Sequence, residues 1–136
     1  MSAIAPIVIN DGAATPVAHT FNPFQAIPSA QYRESQTALA LVGQGTISII
    51  SSTDLGNGLS KVRVVLSLPA LETITAQNAQ GYTAAPKVAY TNKCDATFIL
   101  PNRGTAQQRK DLRVLFGDLL ANAQVVDVIE NLASPY

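Results

Sequence analysis

The chain predicts an α+β protein in which a run of short strands is followed by two C-terminal helices that cover a sheet face. Three observations predict it. Leu112, Leu115, Phe116, Leu119 and Leu120 recur at the one-face spacing of an amphipathic helix. Residues 60–68 alternate instead, with Val62, Val64, Leu66 and Leu68 on one side and Lys61, Arg63, Val65 and Ser67 on the other. Gly, Pro and Asn punctuate everything before residue 105 at short intervals, as turns between strands require. A single domain over 1–136 is expected, with a hairpin at 5–21, a sheet of five-stranded antiparallel meander type at 32–100 and helices at 105–133.

Ile7-Val8-Ile9 forms a first strand, Asn10-Asp11-Gly12 turns the chain, and Val17 to Phe21 returns. Pro23 and Pro28 then interrupt, with Phe24 and Ile27 as loop anchors. Tyr32 to Thr37 reads as an irregular edge strand and Ala38 to Val42 as a short apolar one ending at Gly43-Gln44-Gly45. Thr46 to Ile50 leads through the turn Asp54-Leu55-Gly56-Asn57-Gly58 into the alternating strand, and Ile47 and Ile49 extend its apolar side. Leu71 to Pro86 has no period and reads as a long loop, a length that in compact domains is usually functional. Lys87 to Leu100 is the last strand, with Lys93, Asp95 and Thr97 on one face and Cys94, Ala96 and Phe98 on the other. Thr105 caps the first helix, with Gln108 completing a capping box. Val125, Val126, Ile129 and Leu132 make the apolar side of a second helix after Asn122.

Hydrophobic residues make up 47% of the chain and charged residues only 13%, about half the usual charged share. So little charge leaves apolar surface unsolvated and favours burial between copies over the alternative, a compact monomer with a Ser/Thr/Asn/Gln-rich surface. Formal net charge is zero, so any basic footprint is local rather than global. Cys94 is the only cysteine, which excludes an internal disulfide framework and a multi-cysteine metal site; a buried, reduced thiol is expected. Neither a signal peptide nor an apolar run of membrane-spanning length is visible, so a soluble intracellular chain without a membrane partner is expected.

Catalysis finds little support. His19, the only histidine, has no nucleophile motif beside it, and Asp54, Glu72 and Asp95 are scattered through turns and strands. Gly43-Gln44-Gly45 opens a strand rather than a helix, so it is not a phosphate-cradling loop, and no zinc spacing exists. No catalytic residue, metal or cofactor is assigned. The stronger candidate is the polar sheet face carrying Lys61, Arg63 and Lys93, with Thr46 and Ser48 beside Lys61 and Arg63. Fixed cations on a flat sheet pair with phosphates, and the hydroxyls bond base edges or sugars. A solvated sheet face fits the alternation equally well. Asp95 lies on the same face, where it either accepts from a base amino group or balances Lys93.

The order of elements, together with Asp118-Leu119-Leu120-Ala121, Val126-Asp127-Val128-Ile129-Glu130-Asn131-Leu132, the closing Pro135-Tyr136, Asp95-Ala96-Thr97-Phe98 and Lys61-Val62-Arg63-Val64, resembles the coat proteins of single-stranded RNA bacteriophages, similar to the Q-beta type. The resemblance covers essentially the whole chain. It implies an interlocked homodimer whose sheets join edge to edge, with each chain's helices lying on the sheet of the other. Val62, Val64 and Leu66 would then be covered by Leu112, Leu115, Phe116 and Leu119 of the second copy. It further implies assembly in the bacterial host cytoplasm into an icosahedral shell, the virion capsid, around single-stranded genomic RNA. The inner sheet face would bind an RNA stem-loop, for packaging and translational repression, through Thr46, Ser48, Lys61, Arg63, Lys93 and Asp95. Where the family usually has a base-stacking tyrosine this chain has Lys93, and nearby Tyr90 has the other parity. The loop at 71–86 would lie at the shell's symmetry axes; it holds no cysteine, so a shell without disulfide reinforcement is expected. The competing expectation is a dimeric β-sheet RNA-binding module that forms no shell. A small enzyme with a site around His19 is the third.

Overall fold

The computed structural model describes residues 3–35, 40–53, 56–73, 81 and 84–134. Strands β1 (Ile7–Asn10), β2 (Ala18–Gln25), β3 (Ala30–Glu34), β4 (Thr46–Ser52), β5 (Leu59–Leu71) and β6 (Val88–Pro101) form one antiparallel sheet in sequential order. The expected N-terminal hairpin is thus continuous with the meander in a single six-stranded, curled sheet. A single 3₁₀ turn, Leu41–Gly43, lies between β3 and β4, and helices α1 (Ala106–Leu120) and α2 (Ala123–Asn131) close the chain.

Three expectations need correction. β3 is an interior strand, hydrogen-bonded to β2 on one side and β4 on the other, not an edge. Its segment reads as polar because Gln31 and Arg33 alternate with Tyr32 and Glu34, and the buried parity includes a carboxylate. The apolar Leu41-Val42 belongs to a 3₁₀ turn that Ala40 precedes, rather than to a strand; Ala38 and Leu39 lie outside the described residues. β5 runs to Leu71 and pairs with β6 past Pro69, so the loop begins later than expected; Ile74 to Gln80, Tyr82 and Thr83 lie outside the described residues.

Local chemistry accounts for the element ends. Gly58 has a φ of 74°, a left-handed conformation that costs a residue with a Cβ but not glycine, and it opens β5. Of the expected turn Asp54-Leu55-Gly56-Asn57-Gly58, Asp54 and Leu55 lie outside the described residues. At α1, Thr105 Oγ1 accepts the Gln108 N–H while Gln108 Oε1 accepts the Thr105 N–H at 3.0 Å, the expected capping box. Asn122 caps α2 by accepting the Gln124 N–H at 3.0 Å.

Packing is uneven. Phe21, Tyr32 and Ile47 are the buried hydrophobic centre, flanked by Ile7, Ala30, Ile49 and Leu66. These come from β1–β5, on the sheet face away from Lys61 and Arg63. Gly45 sits where a Cβ would meet the side chains of Leu68 at 3.0 Å, Glu34 at 3.2 Å and Phe21 at 3.3 Å, so a larger residue would have to push them aside by a few tenths of an ångström. Neither helix has a buried residue. The ring of Phe116 meets Phe98 of β6 edge-to-face at 5.6 Å, but Leu115 and Leu119 remain 66% and 52% exposed. Cys94, expected buried, is exposed. It pairs with Leu66 on the apolar parity of β6, over which this chain lays no buried helix residue.

Candidate functional site

The register settles which side chains share the polar face. Thr46 lies opposite Ser67, Ser48 opposite Val65, Ile50 opposite Arg63 and Ser52 opposite Lys61. Across the next ladder, Ser67 faces Lys93, Val65 faces Asp95, Arg63 faces Thr97 and Lys61 faces Ile99. Thr46, Ser48, Lys61, Arg63, Lys93 and Asp95 therefore all occupy one face.

Their grouping differs from the expected one. Thr46 shares a lateral row with Ser67 and Lys93 rather than with Lys61, which lies six residues further along β5, about 20 Å. Ser48 is diagonal to Arg63. The reason is register: the β4–β5 turn pairs Ser52 with Lys61, so the hydroxyls at the start of β4 meet the far half of β5. Lys93 is not the partner of Asp95 either. Arg63 takes that carboxylate in a fork, its Nε donating to Oδ1 at 2.8 Å and to Oδ2 at 3.0 Å while Nη2 donates to Oδ2. The Arg63 hydrogen bonds hold the Asp95 carboxyl below its usual range, with Lys93 and Lys61 adding attraction through space. The same pairing raises Arg63. Lys61 and Lys93 are exposed and form no ion pair among the described residues.

One cation escaped the sequence reading. Arg33 of β3 pairs with Thr46 on one side and Asn22 on the other, which extends the row to Asn22–Arg33–Thr46–Ser67–Lys93 across five strands. Its parity was illegible because its strand looked like an irregular edge. The alternation of Gln31 and Arg33 with Tyr32 was the available signal.

The opposite face carries the histidine. His19 Nδ1 is hydrogen-bonded to Glu34 Oε1, and Nε2 lies 3.4 Å from Asp11 Oδ2. Glu34 is 7% exposed, and its Oε2 accepts the Gly45 N–H at 3.2 Å. Glu34 foremost, then Asp11, raises the His19 pKa. Asp11 accepts the N–H of Val17 at 2.9 Å and of Ala13 at 3.2 Å, which with His19 lowers its own. Both imidazole nitrogens are thus engaged by carboxylates, and among the described residues no nucleophile is hydrogen-bonded to them: the cluster ties the β1–β2 hairpin to β3. Among the described residues no group of three or more His, Cys, Asp or Glu could hold a metal, and no helix is long and apolar enough to cross a membrane.

The fold places this chain among known proteins. Residues 2–136 match the levivirus coat protein family. The chain belongs to that family. Among solved structures, the virus-like particle of bacteriophage ESE058 is 30% identical with a TM-score of 0.89, covering 99% of this chain and 100% of that one. The virus-like particle of bacteriophage NT-214 is 28% identical with a TM-score of 0.86, over 99% of this chain and 100% of the other. The bacteriophage GA protein capsid, at 14% identity, shares the fold with a TM-score of 0.74 over 98% of this chain and 97% of that one. A search of curated proteins finds no match. As a levivirus coat protein the chain is a structural capsid protein of a bacteriophage, and its location is the virion.

Proposed function

We propose that this coat protein dimerises by joining two β6 edges and exchanging helix contacts, and that the dimers close into an icosahedral shell around single-stranded RNA. The observation that carries the dimer is surface. The chain exposes 10404 Å², whereas a compact monomer of its 14.3 kDa exposes about 6,800 Å². The excess of about 3,600 Å² is more than the roughly 1,000–2,500 Å² that each partner of an obligate pair usually buries. Two features mark where pairing would remove surface. β6 is 14 residues long and forms one edge of the sheet, an unpaired ladder that proteins rarely leave open. Leu112, Leu115 and Leu119 of α1 are exposed, and Val62, Val64 and Leu66 of β5, which they would cover in a second copy, are only half-buried. The virus-like particles formed by its structural relatives support the shell.

The inner face of that shell is the polar sheet face, and its ligand is an RNA stem-loop of the genome. Lys61 and Lys93 bond phosphates, Thr46 and Ser48 reach base edges or ribose hydroxyls, and the Arg63–Asp95 fork presents a rigid planar group between them. RNA bound there as dimers assemble in the host cytoplasm is selected for packaging, and its translation is blocked. Asp95→Asn releases Arg63, so it is expected to strengthen binding to a generic RNA hairpin and to steepen the salt dependence by about one counterion; unchanged affinity and slope would place the ligand elsewhere.

Expression alone in bacteria, followed by size-exclusion chromatography, electron microscopy and nuclease challenge, tests the whole reading. Uniform particles that protect RNA are the expected result. A stable dimer without particles replaces the shell with an RNA-binding module, and a well-behaved monomer overturns the dimer.

A further inference from the structure

We propose that Phe24 and Arg33 form a base-stacking subsite at the β2–β3 end of the polar face, which takes an unpaired base of bound RNA. The proposal rests on the RNA-binding reading above and adds to it a contact centre outside β4, β5 and β6.

Three observations converge on it. The first is a bulge. Pairing passes from Pro23 opposite Tyr32 to Gln25 opposite Gln31, so Phe24 is the extra residue of β2 with no partner of its own. A bulge re-aims one side chain and leaves the flanking ladder intact, and bulges concentrate beside binding sites. The second is what Phe24 meets. The Arg33 guanidinium carbon lies 4.6 Å from its ring centroid, while the ring stays 49% exposed. A large aromatic half open to water on a polar face, with a cation stacked on it, already has one side of a sandwich. The third is charge. Arg33 takes part in no ion pair among the described residues, whereas Arg63 is neutralised by Asp95. Among the described residues the uncompensated cations of the face are therefore Arg33, Lys61 and Lys93, and the first and last stand in one lateral row through Thr46 and Ser67. That row spans about 14 Å at the usual strand spacing. A single strand crossing it can place phosphates on Lys93 and Arg33 and hydroxyl-bonded sugar over Thr46 and Ser67. Its terminal base can then lie on Phe24. Protein aromatics stack any base through its π-face, and Arg planes do the same, so the subsite selects unpaired over paired RNA rather than one sequence.

The test uses assembled particles disassembled to dimers, a fluorescent 12-nucleotide oligoadenylate and a fully paired RNA duplex of equal charge, titrated across a salt series. Phe24→Ala is expected to weaken oligoadenylate binding about 5- to 150-fold with an unchanged salt slope, and to leave duplex binding within twofold. Phe24→Tyr retains the affinity. Phe24→Leu keeps the apolar volume and loses the π-face, so it separates stacking from folding and reproduces the loss. Lys61→Gln with Lys93→Gln weakens both ligands and lowers the slope. Equal weakening of both RNAs by Phe24→Leu, or none, overturns the subsite while the RNA reading stands. Failure to assemble with RNA affinity intact makes Phe24 a contact between subunits, and also overturns it. Wild-type protein that binds neither RNA overturns the RNA reading itself.

Discussion

The two ends of the sheet are finished to different degrees. At the β1–β3 end, Phe21 is 1% exposed, Tyr32 and Ile47 are buried beside it, and Glu34 is hydrogen-bonded to His19 and Gly45. At the β6 end, a 14-residue strand forms an open edge, and α1 and α2 have no buried residue despite their apolar stripes. Both ends have apolar side chains at correct spacing, so composition does not separate them. What separates them is whether this chain covers its own apolar side chains. One corner folds on itself; the other is left uncovered, as the proposed dimer requires.

Substitutions sharpen that contrast. Phe21→Ala removes the best-buried ring and is expected to cost about 3–5 kcal/mol, read as a lower denaturant midpoint. Leu115→Asp acts at the other end. In a chain whose helices face water it would change stability by no more than about 0.5 kcal/mol. Across an interface it places an unpaired polar group in an apolar layer, at about 1–3 kcal/mol, and shifts sedimentation toward monomer. A Leu115→Asp protein that still assembles with an unchanged midpoint breaks the comparison. Thr105→Ala removes the cap that starts α1 and is expected to cost about 1 kcal/mol, measured as a denaturant midpoint that depends on protein concentration if the proposed dimer holds the helix.

The smallest effect is the most specific to the finished corner. His19 is raised by Glu34 and Asp11, so its protonated form stabilises the hairpin fully below the ordinary imidazole value of about 6.5. That contribution fades as pH rises through the raised value. Asp11, lowered by the Val17 and Ala13 N–H groups and by His19, contributes above the ordinary carboxylate range and is lost as pH falls through its lowered value. The stability difference between wild type and His19→Gln should therefore be largest between those limits and shrink on the alkaline side. A difference independent of pH would remove charge from the role of His19.

The legible parts of the fold were those with a strong local period. β5, β6 and α1 declared themselves through alternation or helical spacing, and the Thr105–Gln108 cap through residue type alone. β3 did not, because its buried parity contains Glu34, whose partners His19 and Gly45 lie 15 and 11 residues away. A carboxylate at an interior position looks like a surface residue until its partner is known. The polar face was legible in membership and illegible in grouping: parity put six side chains on one side, but their neighbours depended on a β4–β5 register set by the turn. Arg33 was missed along with the strand that carries it. Phe24 looked like a loop anchor because nothing local announces a bulge.

By itself, then, the sequence determined the α+β class, the two helices with their caps, the parity of the long strands and the resemblance that the family match bears out. These depend on periodicity and residue type, which are local. The tertiary structure decided that the hairpin and meander are one sheet, that Arg63 belongs to Asp95, that Arg33 and Phe24 stand on the polar face, and that Cys94 and the helix stripes are uncovered in a single chain. Each of these depends on which distant residues hydrogen bonding and packing bring side by side, a property of register and topology that no short window of sequence contains.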